Sequence, residues 1–169
     1  HPMVIMGSII GALFFFLQKS PCFPNMDNVS VGTVLIIMLY GCTLLPLPLK
    51  WDIRGWTEMH PLNGPAWSLY YEYIGNILYA LFVRKFNKVA LSILVFLAAC
   101  ATLHLCLTAP NGDIVGGWAL NWEQQYVGFV RLLYPFFAGL LLSRLGWLIR
   151  VKKRAFWWCS LMIVIVLSV

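Results

Sequence analysis

Apolar residues fall into long runs along the chain, separated by short polar stretches. The runs cover residues 2–17, 31–49, 65–83, 89–108, 128–143 and 155–169. Most of them approach the roughly 20 residues that a helix needs to cross a bilayer core, and none alternates in the manner of a barrel strand. The pattern therefore predicts an all-α fold, a polytopic transmembrane helix bundle that forms a single membrane domain over residues 1–169.

Composition supports a membrane protein. The 169 residues are 61% hydrophobic and 11% charged, whereas soluble domains average roughly 45–50% apolar and about 25% charged residues. The formal net charge is +6, but the basic residues cluster between apolar runs and do not form one basic face, which disfavours nucleic acid as a partner. We expect membrane lipid to surround most of the chain.

The basic clusters predict the topology. Short loops rich in Lys and Arg lie on the cytoplasmic side of a membrane, which places residues 84–88 and 144–154 there. The loops 50–64 and 109–127 are then external.

Segment 31–49 leaves two topologies open. Gly41, Pro46 and Pro48 weaken its helix near the end. If the segment spans the membrane, His1 is external, and if it is re-entrant, His1 is cytoplasmic. Because the chain opens on His1 and closes inside an apolar run, we expect it to be truncated at both ends.

Other motifs have structural interpretations. The five cysteines show neither CxxC nor Cys/His spacing, so we expect no metal site and expect these side chains to pack as small apolar groups. Gly7 and Gly11 form a GxxxG motif, which is typical of close helix packing. The tryptophans lie near segment ends and predict an aromatic belt, with stacking on sugars as the alternative for Trp118 and Trp122.

Two charges interrupt the apolar segments. Glu72 and Arg131 would each cost about 2.5–3.5 kcal/mol at the bilayer centre, so each needs a partner or a function. Both lie at a similar depth below the external side, which makes an ion pair between them possible. Helical spacing also predicts a polar stripe on one face, made of Ser68, Glu72, Gly75, Asn76 and Tyr79.

Two histidines are candidates for chemistry. His60 precedes Pro61 in an external loop, where an imidazole can act as an acid or base near neutral pH. The alternative is an ordinary solvated loop histidine. His104 lies in an apolar run, and we expect a core residue with a backbone or hydroxyl partner.

The run LNGPAWSLYYEY at residues 62–73 resembles the hallmark of the bacterial membrane acyltransferase 3 family, in which Trp-Ser-Leu is followed by two further residues and then Glu. Trp67, Ser68, Leu69 and Glu72 match this pattern. The RLLYPFFAG run at residues 131–139 is similar to a later family segment, and His1-Pro2 resembles the start of its third helix. The last similarity implies that segment 31–49 is re-entrant.

The resemblance implies an enzyme of the bacterial inner membrane, with several spans, that moves an acyl group, often acetyl, from acyl-CoA to a hydroxyl of a cell-envelope glycan or similar acceptor. The family's catalytic His and an Arg-rich motif would lie upstream of His1, so the fragment alone is expected to be inactive.

From these considerations we expect Glu72 to orient a partner base or Arg131, and Arg131 to place positive charge near the donor or the oxyanion. Asn63, Trp67 and Ser68 are expected to shape the substrate entrance, and His60 is a further catalytic candidate. The competing class is a membrane transporter or flippase that uses Glu72 and Arg131 as a gate.

Overall fold

The computed structural model describes residues 2–17, 25–109, 113–146 and 155–167, and these ranges contain helices but no β-strand. The α-helices are α1 (Pro2–Phe14), α2 (Val31–Gly41), α3 (Ala66–Leu81), α4 (Lys88–Thr108), α5 (Trp122–Leu145) and α6 (Ala155–Leu167). Short 3-10 turns cover Phe15–Leu17, Met26–Asn28, Leu49–Trp51 and Val83–Lys85. The prediction of an all-α chain is confirmed for the described ranges.

Side-chain caps set several helix ends. Ser30, Asn87 and Asn121 each accept a hydrogen bond from the backbone N–H three residues later, at the starts of α2, α4 and α5. The cap at Asn121 starts α5 six residues before the predicted position 128. Residues 122–127 are therefore helical, and the prediction that they belong to a loop is wrong.

Helix lengths separate two long helices from the others. The helices α4 and α5, with 21 and 24 residues, are long and apolar enough to cross a membrane. The helix α2 ends at Gly41 after 11 residues, about 16 Å at 1.5 Å per residue. The backbone turns at residues 42–44, where Leu44 has a φ of +63°, ahead of Pro46 and Pro48. A helical crossing through the whole of segment 31–49 is therefore wrong.

The helices pack in two groups. The helices α3 and α4 both lie against α5, and α1 lies against α2. Val83, Leu91 and Phe137 form the buried core where the end of α3 meets α4 and α5. At the same end, the guanidinium of Arg144 on α5 donates to the carbonyl oxygens of Val83 and Arg84, each at 3.0 Å, and to that of Phe86.

The GxxxG motif of α1 packs against a turn instead of another helix. A Cβ at Gly7 would lie 2.5 Å from Nδ2 of Asn63, and a Cβ at Gly11 would overlap the backbone oxygen of Leu62. The prediction of helix packing through this motif is therefore wrong. The two glycines let α1 approach the turn that leads into α3.

The connecting segments 42–64 and 113–121 form an ordered structure that we call the cap. The Met59 N–H donates to the Trp118 carbonyl at 2.7 Å, and the Leu47 N–H donates to the Met59 carbonyl at 2.9 Å. The Asp52 carboxylate accepts three backbone N–H groups of the loop that follows it. These bonds hold the cap over the start of α3 and α5.

Candidate functional site

A cavity of about 380 Å³ lies between α3 and α5, and we call it the α3/α5 cavity. Its polar lining comes from Ser68, Glu72 and Asn76 on α3 and from Arg131 on α5. The i, i+4 spacing of the α3 residues places them on one side of the helix, so this part of the predicted polar stripe is confirmed. Gly75 packs against Leu132 instead.

Arg131 is held by the cap and by α3. Its Nη1 donates to the Gly116 carbonyl at 2.8 Å, and its guanidinium carbon lies 4.9 Å from the ring centroid of Trp67. Gly116 and Gly117 have φ of +140° and +104°, which favour glycine, and they bring the backbone close to Trp67. A Gly-Gly pair ahead of α5 is the sequence signal that could have revealed this contact.

Glu72 is not paired with Arg131. Among the described residues no nitrogen of Arg131 lies within 4.0 Å of a Glu72 oxygen, and the Glu72 carboxylate accepts no hydrogen bond. The ion pair that their similar depth makes possible is therefore not formed between these two described residues, because the guanidinium is directed to a carbonyl and an indole. Both charges nevertheless line the same cavity.

Tyr71 is a residue that sequence reasoning missed. Its side chain is buried, its hydroxyl has no partner in the described part of the chain, and its ring packs edge-on against Trp67 and Phe129. A Cβ at Gly128 of α5 would overlap this ring. Gly128 therefore allows α3 and α5 to approach closely beside the cavity.

Pro135 also lines the cavity, one turn after Arg131. A proline has no backbone N–H, so the helical hydrogen bond to the Arg131 carbonyl is missing although α5 continues through this position. The helix therefore lacks one main-chain hydrogen bond next to the charged side chain.

His60 is buried within the cap, and the solvated alternative is wrong. Its Nε2 lies 3.3 Å from the Leu44 carbonyl, and its Nδ1 has no partner among the described residues. Burial lowers its pKa, and the contact with Leu44 partly opposes that shift. His60 lines a second, smaller cavity, so it does not join Glu72 and Arg131, whereas Trp67 lines both cavities.

The remaining candidates lie elsewhere or have ordinary contacts. Asn63 donates to the Val4 carbonyl of α1 at 3.4 Å, away from the α3/α5 cavity. Ser68 lines that cavity while its hydroxyl donates to the Pro65 carbonyl at 3.0 Å. His104 has the expected hydroxyl partner, with Nδ1 3.5 Å from the Tyr126 oxygen, but its predicted core position is wrong because the residue is exposed.

Two helices long and apolar enough to cross a membrane, together with a cavity lined by charged side chains, are typical of a helical membrane protein with a polar site. The sequence profile of a family described as an acyltransferase domain matches residues 2–169, and the chain belongs to this family, acyltransferase 3. Membership of this family supports a membrane acyltransferase in general. No curated protein and no solved structure shows significant similarity to the chain.

Proposed function

We propose that the full-length protein transfers an acyl group, in the first instance acetyl, from acyl-CoA to a hydroxyl of a cell-envelope glycan in the bacterial inner membrane. The observation that carries the proposal is that Glu72 and Arg131 line one cavity without neutralising each other. Membership of an acyltransferase family supports the reaction type.

The reaction sets clear chemical requirements. The acceptor oxygen attacks the thioester carbonyl carbon, the new C–O bond forms through an oxyanion, the C–S bond breaks, and the hydroxyl proton ends on the sulfur of CoA. A base, a positive charge near the oxyanion and exclusion of water all accelerate this reaction.

Arg131 meets the requirement for positive charge. Gly116 and Trp67 fix its guanidinium, while its other N–H groups have no partner in the described ranges. A fixed guanidinium binds the oxyanion, or a phosphate of CoA, without reorganisation at the moment of reaction.

Glu72 meets the requirement for an acceptor of hydrogen bonds. Its carboxylate is exposed to the cavity, where we propose that it orients the base, the imidazole that the family resemblance places upstream of His1. Trp67 and Ser68 line the same cavity, and we assign them to the substrate entrance. His60 has its own cavity, and we assign it to acceptor binding below.

The test uses the full-length protein in lipid nanodiscs with acetyl-CoA labelled in the acetyl group. Release of CoA thiol and alkali-labile label on isolated envelope glycan are measured together. Glu72→Gln and Arg131→Gln should each lower the rate about 100-fold or more. Glu123→Gln removes an exposed carboxylate in the first turn of α5 and should leave the rate unchanged.

Two results would contradict the proposal. Transfer at the wild-type rate in both cavity variants would remove the charges from the site. Movement of a glycolipid across the membrane with no release of CoA would support the transporter class instead.

A further inference from the structure

The cap contains a second cavity of about 190 Å³, lined by Trp56, Glu58, His60, Gly64, Trp67 and Trp118. We propose that this tryptophan pocket binds a sugar ring of the acceptor glycan beside the acyl-transfer cavity. The proposal rests on the proposed function, because it identifies the acceptor site of the same reaction.

Backbone pairing within the cap builds the pocket. The Met59 N–H donates to the Trp118 carbonyl at 2.7 Å, and Glu58 and Ala119 form an isolated antiparallel bridge. These bonds place Trp118 beside the segment that carries Glu58 and His60. Main-chain hydrogen bonds thus fix the positions of the residues that line the pocket.

The lining matches a sugar ring chemically. Indole faces bury the C–H face of a pyranose and release water from it, while a carboxylate and an imidazole nitrogen bind its hydroxyls. His60 is only 5% exposed and its Nδ1 has no partner in the described part of the chain. A buried nitrogen without a hydrogen bond is costly, and a sugar hydroxyl would satisfy it.

Aromatic pockets also bind quaternary ammonium groups, but two contacts disfavour a cation here. Glu58 forms an ion pair with Arg54, with Nη1 and Oε2 3.5 Å apart. Trp67 already has the Arg131 guanidinium over its ring. A neutral polyhydroxylated ligand is not repelled by the guanidinium groups of Arg54 and Arg131.

Trp67 is shared by the tryptophan pocket and the cavity proposed for acyl transfer. It lines both the tryptophan pocket and the α3/α5 cavity. A sugar ring bound in the pocket therefore contacts a side chain that also lines the cavity containing Glu72 and Arg131. This position distinguishes an acceptor site from a remote lectin-like site.

Binding is tested directly, with fluorescently labelled full-length protein in nanodiscs on an array of bacterial envelope oligosaccharides. We expect the wild type to bind at least one oligosaccharide, and Trp118→Ala and Trp56→Ala to bind it about tenfold more weakly. Trp122→Ala is the matched control, because Trp122 is 85% exposed and lies outside the pocket. A thermal melt of each variant identifies loss of folding, and His60→Gln, which keeps the pocket aromatic, should also weaken binding.

The outcomes separate this proposal from the proposed function. Absence of binding across the array, or equal binding by the pocket variants and the control, overturns the sugar pocket even if CoA release continues. Binding to vesicles rich in choline headgroups that depends on the same tryptophans also overturns it. Sugar binding by the wild type without any release of CoA overturns the proposed function alone.

Discussion

The guanidinium carbon of Arg131 lies 4.9 Å from the ring centroid of Trp67, and this contact replaces the ion pair that sequence position suggested with Glu72. An arginine over an indole face is stabilised while it keeps its charge. Glu72 and Arg131 therefore both line the cavity without pairing with each other, and both side chains are available to a substrate.

This geometry predicts which residues are energetically coupled. The pair Trp67→Leu and Arg131→Gln should show a coupling of about 0.5–1 kcal/mol in thermal unfolding in detergent. The pair Glu72→Gln and Arg131→Gln should be additive within about 0.5 kcal/mol. A larger coupling in the second cycle would indicate that the two charges meet after all.

Gly128→Ala should destabilise the protein. Its added methyl group would overlap the Tyr71 ring, and overpacking of this kind costs about 1–3 kcal/mol. Gly139→Ala on the same helix meets no atom within 4 Å and is the matched control, since alanine favours the helix. Comparison of the two melting temperatures checks the prediction, and an equal effect would argue against close approach of α3 and α5.

Gly11→Ala tests the packing of α1 on the turn before α3. The methyl group would overlap the Leu62 backbone oxygen, whereas at Gly32 of α2 the nearest atom is 3.8 Å away. We therefore expect a lower melting temperature for Gly11→Ala than for Gly32→Ala. If both variants have the same melting temperature as the wild type, α1 does not lie against this turn.

His60 should make stability depend on pH. Because burial lowers its pKa from 6.5, the unfolded chain binds more protons than the folded protein below that pH, and the free energy of unfolding falls as the pH drops. His60→Gln removes this contribution, so its melting temperature should fall less between about pH 7.5 and 5.5.

Protonation of Glu58 does not account for the loss of stability as the pH drops. Burial raises its pKa from 4.5, partly offset by Arg54, so above 4.5 its contribution has the opposite sign. Since Glu58 is present in both proteins of the comparison, the difference between them reports His60. Equal losses in the wild type and His60→Gln would contradict its burial.

The topology is tested by labelling single cysteines in a cysteine-free full-length protein. Lys85 follows α3 and Asp113 lies in the cap, and both residues are exposed. Membrane-impermeant maleimide added outside should label Asp113→Cys and should label Lys85→Cys only after permeabilisation. The reverse pattern would invert the orientation.

Hydrophobic runs predicted α3 and α4 to within two residues, because long apolar helices have a strong periodic signal. The same signal extended segment 31–49 beyond Gly41, because apolar residues continue past the turn at residues 42–44 that ends the helix. It also missed the start of α5, which is set by the Asn121 cap and not by hydrophobicity.

In the candidate site, too, local contacts could be predicted from the sequence and contacts between distant residues could not. Helical spacing placed Ser68, Glu72 and Asn76 together because that geometry is local. The partners of Arg131 and the burial of His60 depend on how the cap folds over the helices. Those contacts join residues far apart in the chain, as with Nη1 of Arg131 and the Gly116 carbonyl.

The hydrogen bonds of Arg144 have a mechanical consequence for the cavity. They fasten the end of α5 to the backbone at residues 83–86, while Tyr71 seated on Gly128 fastens the two helices near their other end. A hinge that separated α3 from α5 would break charge-assisted bonds or expose a buried aromatic ring. The two helices that form the walls of the α3/α5 cavity are therefore held together at both ends, and we expect its width to stay constant when a substrate enters.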